Sequence, residues 1–257
     1  MISALGLANF PLWCLAAAAL ACASLASAQA WPQPVASESV APSTVVSASR
    51  LADFGSHKPT PDARAVADWV ADSRDNAGAN FIVVDKRGAA VYVFDDQGRV
   101  RGASPVLLGA AVGDDTVPGI GEKPLSQVQP HERTTPAGRF VAEAGRNMDG
   151  EDIVWVDYDA AVSMHRVRAK VAKERRLERL ASKTVKDNRI SYGCINIPRS
   201  FYETFISPTV SASRTIVYVL PEQKSIEQVF GAYRVKPGDT SAAQALPKAS
   251  KRNGNAI

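Results

Sequence analysis

Cysteine is scarce in this chain of 257 residues, with three in all, at positions 14, 22 and 194. They form no Cys-x-x-Cys pair, and the three histidines (His57, His131 and His165) form no His-x-x-x-His pair. Those spacings speak against a structural metal site. Gly-x-Ser-x-Gly is also missing, which removes the strained serine elbow of many hydrolases. No internal repeat is present, and no long apolar run. The best, residues 10–25, is short and broken by Pro11 and Ser24, against the roughly 20 apolar residues that span a bilayer. Charge of one sign is hardly in excess: Lys plus Arg number 30 against 26 Asp plus Glu, for a net +4 and a pI near 9.0. A mildly basic surface suits anionic wall polymers, anionic lipid or peptide carboxylates, and is diagnostic of none. Aromatics are not interleaved with the basic residues, so nucleic acid is not an expected partner.

Ala26-Ser27-Ala28 follows the apolar run as a small-x-small pattern suited to signal peptidase, so residues 1–28 read as a signal peptide cleaved after Ala28. One feature is off pattern: no Lys or Arg precedes Arg50. Lipidation at Cys22 is a second reading, although Ala19-Leu20-Ala21 makes a poor lipobox. Export to the periplasm or cell envelope is expected, with no stable membrane span. Removing 28 of 257 residues leaves 229, enough for one catalytic domain with tails. The expected division is a flexible arm over 29–61, a catalytic domain over 62–221 and a largely disordered tail over 222–257. Export also leaves one thiol, Cys194. Exported proteins mostly use cysteine in disulfide pairs. An odd thiol is a partner in an intermolecular bridge, an inert buried residue or a reactive group.

Hydrophobic periodicity predicts a helix over 62–73, then a series of strands. Residues 81–84 and 90–94 read as a hairpin about a turn at 85–88, with a further strand over 100–108. Residues 109–133 hold four Gly and three Pro and read as a long loop. Strands are expected again at 139–142, 152–156 and 215–220. The period turns helical between 166 and 188 and again over 200–206. The predicted fold is mainly β with short helices.

Ser191-Tyr192-Gly193-Cys194-Ile195-Asn196 is the segment best suited to chemistry. Gly193 clears space beside the sulfur and adopts backbone angles closed to other residues. The N–H groups of Gly193 and Cys194 are placed to converge on a developing oxyanion, and Ser191 to orient the loop by a hydrogen bond. The alternative is an inert cysteine buried in a tight turn. A thiol nucleophile needs a base, most often His. His165 follows the strand-like Ala161-Val162-Ser163-Met164 and is favoured; His131, in the Pro-rich loop, ranks second, and His57 is poorly placed. Residues 166–189 hold ten Lys or Arg against three Asp or Glu. Such a run is commonly a solvated helix face; its place between base and nucleophile also suits a lid or a recognition element for anionic wall material.

These residues resemble the L,D-transpeptidases (YkuD-type catalytic domain) over most of residues 81–220. Thr135-Pro136-Ala137-Gly138-Arg139-Phe140 is similar to the family's Thr-Pro-x-Gly-x-Phe signature. It is followed by His165 and by Ser191-x-Gly193-Cys194-Ile195-Asn196. The resemblance implies a mixed β-sandwich-like catalytic domain with Cys194 as nucleophile and His165 as base. It also implies an oxyanion hole or loop support from Tyr192, Gly193, Ser191 and Asn196. Arg166, Arg189 and Thr135 are expected at the substrate. Family members attack a tetrapeptide stem of peptidoglycan, release D-Ala and pass the acyl group to an amine; they use no metal or organic cofactor, and carbapenems acylate many. Two departures stand out. Tyr192 occupies the place usually held by His, and the base precedes the nucleophile by 29 residues because of the basic insertion. The alternatives are an L,D-carboxypeptidase or amidase-type hydrolase on the same site, and a non-catalytic peptidoglycan-binding protein.

Overall fold

The computed structural model describes residues 47–237 together with 240 and 241. The expected signal segment, Cys22 and the greater part of both the arm and the tail lie outside the described residues. The elements in chain order begin with β1 (Ser47–Ala48), α1 (Pro61–Ser73), β2 (Asn80–Asp85), β3 (Ala90–Phe94), β4 (Val100–Pro105) and β5 (Leu108–Gly109). Next come β6 (Gly138–Val141), β7 (Glu143–Arg146), β8 (Asp152–Asp157), β9 (Val162–Arg166), α2 (Arg176–Ala181), β10 (Arg189–Ser191) and β11 (Ile195–Ile197). A helical run then passes from α3 (Arg199–Phe201) through a π-helical turn (Tyr202–Ile206) into α4 (Ser207–Ala212), before β12 (Thr215–Val219), α5 (Ile226–Phe230) and β13 (Thr240–Ser241). The fold is mainly β with short helices, as the sequence predicts.

Two sheets carry the domain. One has five strands in the order β4-β3-β2-β12-β6, the other four in the order β11-β9-β8-β7; β5 and β10 form a separate parallel pair, as do β1 and β13, antiparallel. Side chains alternate across a strand, so the apolar runs of β2, β3 and β12 feed two cores. Ile82, Val84, Val91, Val93, Val217 and Val219 face the second sheet and meet Val154, Val162, Met164, Ile195 and Ile197. Phe81, Val83, Tyr92, Phe94, Ile216 and Tyr218 face the other way, onto α1. The three central strands of the five-stranded sheet, β2, β3 and β12, are therefore buried on both sides, which is why they read as nearly continuous apolar runs.

Helix α1 starts where the sequence dictates. Thr60 caps it by accepting the Ala63 N–H at 3.2 Å, Pro61 occupies its first turn, and Arg74 closes it with φ 59°. Ala63, Val66, Trp69 and Val70 are buried on the sheet.

The domain is larger at both ends than expected. Within the arm, the Ala52 N–H donates to Asp68 at 2.9 Å, and Phe54 packs edge-on against Tyr92 and Phe94 at 5.3 and 5.0 Å. Within the tail, Ile226 and Ala232 are buried and Phe230 stacks on Trp69. Phe54 and Ile226, both fully buried, each contribute about 1.5–3 kcal/mol. The helix expected over 166–188 shrinks to α2 and flanking 3₁₀ turns. Of its apolar residues Leu180 is buried, while Val171 and Leu177 stay exposed, so no continuous apolar face draws it onto the core. The predicted strand over 100–108 breaks after Pro105, and the short strand β7 was not anticipated because Glu143 and Arg146 carry no apolar alternation. Conversely, the helix expected to end at Ile206 continues to Ala212, with the π-helical turn placed just before Pro208, whose missing N–H fits the start of α4.

A candidate thiol active site

Cys194 sits in the turn between β10 and β11. Strand β11 runs parallel to β9 with Ile195 opposite Met164, Asn196 opposite His165 and Ile197 opposite Arg166. That register carries Cys194 to the end of β9 beside Ser163. The sulfur lies 3.7 Å from Ser163 Oγ and 3.6 Å from the Ala161 carbonyl oxygen. It is half-buried, and it is a free thiol.

Gly193 is required at its position on two grounds. Its φ is +133°, and a Cβ there would stand 2.9 Å from the Thr134 carbonyl oxygen, a backbone atom that cannot swing aside. The turn is tied down from three directions. Ser191 Oγ donates to the Cys194 carbonyl at 2.6 Å and accepts the Gly193 N–H at 3.1 Å. Thr135 Oγ1 donates to the Gly193 carbonyl at 2.7 Å and accepts the Gly109 N–H at 2.9 Å. Asn196 Nδ2 donates to the Cys194 carbonyl at 3.2 Å, and its Oδ1 accepts from Arg176 at 2.6 Å. Ser191, Thr135 and Asn196 are all buried. In low dielectric these bonds hold the turn in one conformation.

Burial pushes the Cys194 thiol up. Interaction with His165, together with the Ser163 N–H and hydroxyl, outweighs that effect and leaves it below its ordinary value. His165 Nδ1 lies 2.8 Å from the Arg166 carbonyl oxygen. Donation to that carbonyl fixes the tautomer that leaves Nε2 as the proton acceptor. His165 thus lies on β9 and Cys194 immediately before β11, its parallel neighbour. His131 and His57 are exposed.

The structure reassigns several expected residues. Gly193 N–H is engaged by Ser191 Oγ, so of the two expected oxyanion donors the Cys194 N–H is the remaining one. Thr135, expected at the substrate, is fully buried and braces the turn instead. Arg166 pairs with Asp152 at 2.9 Å and Glu203 at 2.9 Å and lies over Tyr202. Arg189 pairs with Glu222 and donates to the Lys86 carbonyl at 3.0 Å. Both arginines are held by internal partners. Tyr192 is the one member of the loop with large exposure, and the Arg133 guanidinium lies 4.1 Å from its ring centroid.

Sequence reasoning missed Lys86. It is fully buried, its Nζ donating to Asp114 at 3.0 Å and to the Thr135 carbonyl at 2.9 Å, with Glu222 at 3.7 Å. Burial pushes this ammonium down, opposed by Asp114 and Glu222. Burial pushes Asp114 up, but the N–H groups of Lys224, Glu222 and Gln223 and the Lys86 ammonium outweigh it and hold it at about 2. The network anchors the segment that presents Thr135 to Gly193. Its charged members lie far apart in sequence and carry no local signal. Among the described residues no cluster of His, Cys, Asp or Glu could hold a metal ion, and no helix is long and apolar enough to cross a membrane.

No protein-family model matches the sequence, and no curated protein matches it. Solved structures do. The helical cell shape determining protein Pgp2 from Campylobacter jejuni is 16% identical over 57% of this chain and 49% of its own, with a TM-score of 0.37. A variant of the Enterococcus faecium L,D-transpeptidase is 18% identical over 55% of this chain and 50% of its own, at 0.31. L,D-transpeptidase 1 of Mycobacterium tuberculosis is 18% identical over 55% of this chain and 61% of its own, at 0.30. The chain therefore spans about half the length of the first two.

Proposed function

We propose that this protein is a cysteine-dependent acyltransferase of the cell envelope that acts on peptidoglycan tetrapeptide stems. The observation that carries the proposal is the Cys194 turn itself: a half-buried thiol, held below its ordinary pKa by His165, on a glycine turn braced by three buried side chains. The sequence motifs shared with the L,D-transpeptidases support the substrate class. The expected signal segment over residues 1–28 supports the location in the periplasm or cell envelope.

His165 takes the Cys194 proton, and the thiolate adds to the stem carbonyl. The Cys194 N–H stabilises the oxyanion, a contribution worth about 3–4 kcal/mol where such donors have been removed. Collapse breaks the amide bond, and the His165 imidazolium protonates the departing D-Ala amine. The thioester on Cys194 then accepts an amine, with a diaminopimelate side chain as the expected acceptor, and His165 again moves the proton. These steps need no metal or organic cofactor. Water in place of the amine gives the carboxypeptidase outcome.

Intact-protein mass spectrometry tests the proposal, with the purified protein incubated with a carbapenem or with a tetrapeptide stem. We expect a covalent adduct that disappears in Cys194→Ala, and release of D-Ala from the stem. A folded protein that forms no adduct and releases no D-Ala would overturn the enzyme reading in favour of peptidoglycan binding.

A further inference from the structure

Most arginines around the Cys194 turn already hold a carboxylate: Arg166 holds Asp152 and Glu203, Arg176 holds Glu174, and Arg189 holds Glu222. Arg133 does not. Among the described residues it forms no ion pair. The neighbouring Glu132 carboxylate is taken by Lys123, at 2.9 and 2.7 Å, and by the Gln129 N–H. Arg133 NH2 donates to the Val128 carbonyl at 3.2 Å, while its Nε is buried without an acceptor. An unpaired buried donor on a cation is costly and calls for a partner.

The placement of this side chain is set by its backbone. The Arg133 carbonyl accepts the Ala111 N–H at 3.0 Å and presses on Gly109, where a Cβ would stand 2.3 Å away. The next carbonyl, that of Thr134, packs against Gly193. The guanidinium lies on the exposed Tyr192 ring, two residues before the sulfur. The result is an arginine with spare donor capacity, fixed at the rim of the nucleophile's turn and stacked on an aromatic face, an arrangement suited to planar recognition of a carboxylate.

We propose that Arg133, seated on Tyr192, is a specificity-determining residue that binds the free carboxylate of the acyl donor's leaving amino acid. This rests on the acyl-transfer reading above. In the donor stem the amine expelled from the thioester-forming carbonyl belongs to an amino acid with a free α-carboxylate, so a cation at the rim of the Cys194 turn, seated on Tyr192, distinguishes a terminal donor bond from an internal one.

Two measurements test it. In the first, wild type and Arg133→Gln are compared on a tetrapeptide stem with a free C-terminus and on the same stem as its C-terminal amide. Wild type is expected to favour the free acid by about tenfold or more in kcat/KM, the size of one charged hydrogen-bonded contact. Arg133→Gln is expected to bring the ratio near one while amide turnover holds, and Arg133→Lys to fall between. Equal discrimination by wild type and Arg133→Gln overturns the proposal. In the second, the rate of Cys194 alkylation by anionic iodoacetate is divided by that of neutral iodoacetamide, followed by peptide mapping at Cys194. The ratio is expected to fall several-fold in Arg133→Gln, since His165 is the same in both proteins. An unchanged ratio, in a variant whose melting curve matches wild type, counts against a cation that reaches the sulfur. Loss of all stem turnover in wild type would strike the acyl-transfer reading, and the alkylation ratio would still decide the place of Arg133.

Discussion

At the scale of single residues, the site turns on a thiol whose ionisation is set by opposed effects. Burial raises it, His165 and Ser163 lower it, and the lowering wins. The thiolate is the reactive form. The rate of iodoacetamide alkylation at Cys194 should therefore rise with pH about a midpoint below the ordinary 9.0 of a thiol. Replacing His165 with Ala should move that midpoint upward, because burial would then be opposed by Ser163 alone. An unmoved midpoint would remove His165 from the role of base. Gly193 offers an independent check. With φ at +133° and the Thr134 carbonyl 2.9 Å from any added Cβ, Gly193→Ala has no relaxed conformation available. A cost of about 1–3 kcal/mol in urea unfolding is expected, together with loss of adduct formation, since the sulfur is displaced with its turn.

Between residues and the whole molecule lie the elements that hold the turn, and here the buried charges matter most. Lys86 follows β2 and touches both the Thr135 carbonyl and Asp114, which in turn accepts three N–H groups from residues 222–224. Lys86→Met would leave the buried Asp114 carboxylate without its cation, while Glu222 keeps Arg189, a loss of about 3–5 kcal/mol on removing one partner of a buried pair. The pH dependence has a definite sign. The folded pKa of Asp114, about 2, lies below its ordinary 3.8. Its contribution is therefore fully present above about pH 4 and is lost as the pH falls through 2, amounting to about 2 kcal/mol. Urea unfolding from pH 5 down to pH 2 should show this loss in wild type, and Asp114→Asn should lack that part of it. None of this network was legible in the sequence, because its members meet only through the fold. The strands β2, β3 and β12 were legible, since burial on both faces writes itself as an apolar run. So was the Cys194 turn, where a glycine, a thiol and two polar side chains stand side by side. The internal partners of Arg166, Arg189 and Thr135 were not legible for a physical reason: a polar residue near a site looks the same in sequence whether it faces a ligand or an internal partner.

The whole molecule sets His165 on β9 and Cys194 in the turn that enters the neighbouring strand β11, yet the chain between them leaves the sheet to form the basic insertion. That excursion is joined to the domain mainly through polar contacts. Leu180 is its buried apolar residue, and an open cavity of about 540 Å³ is lined by Arg175, Glu178, Arg179, Ala181, Ser182 and Asp187. Arg176 is the tether that reaches the thiol turn, bonding both Glu174 and Asn196, and Asn196 in turn holds the Cys194 carbonyl; Arg168 and Asn188 tie the excursion elsewhere. Segments with few buried apolar contacts open at free energies far below that of global unfolding. Hydrogen exchange should therefore be faster over residues 172–188 than over β12, whose five residues are all buried. Arg176→Gln should quicken exchange in the insertion and slow adduct formation at Cys194, because Asn196 loses the partner that fixes its amide. The same substitution should lower Tm by less than about 4 °C, since no apolar core is disturbed. Exchange in the insertion as slow as in β12 would mean that packing, not the Arg176 tether, holds it. Faster exchange with unchanged adduct formation would instead show that the insertion moves independently of the thiol.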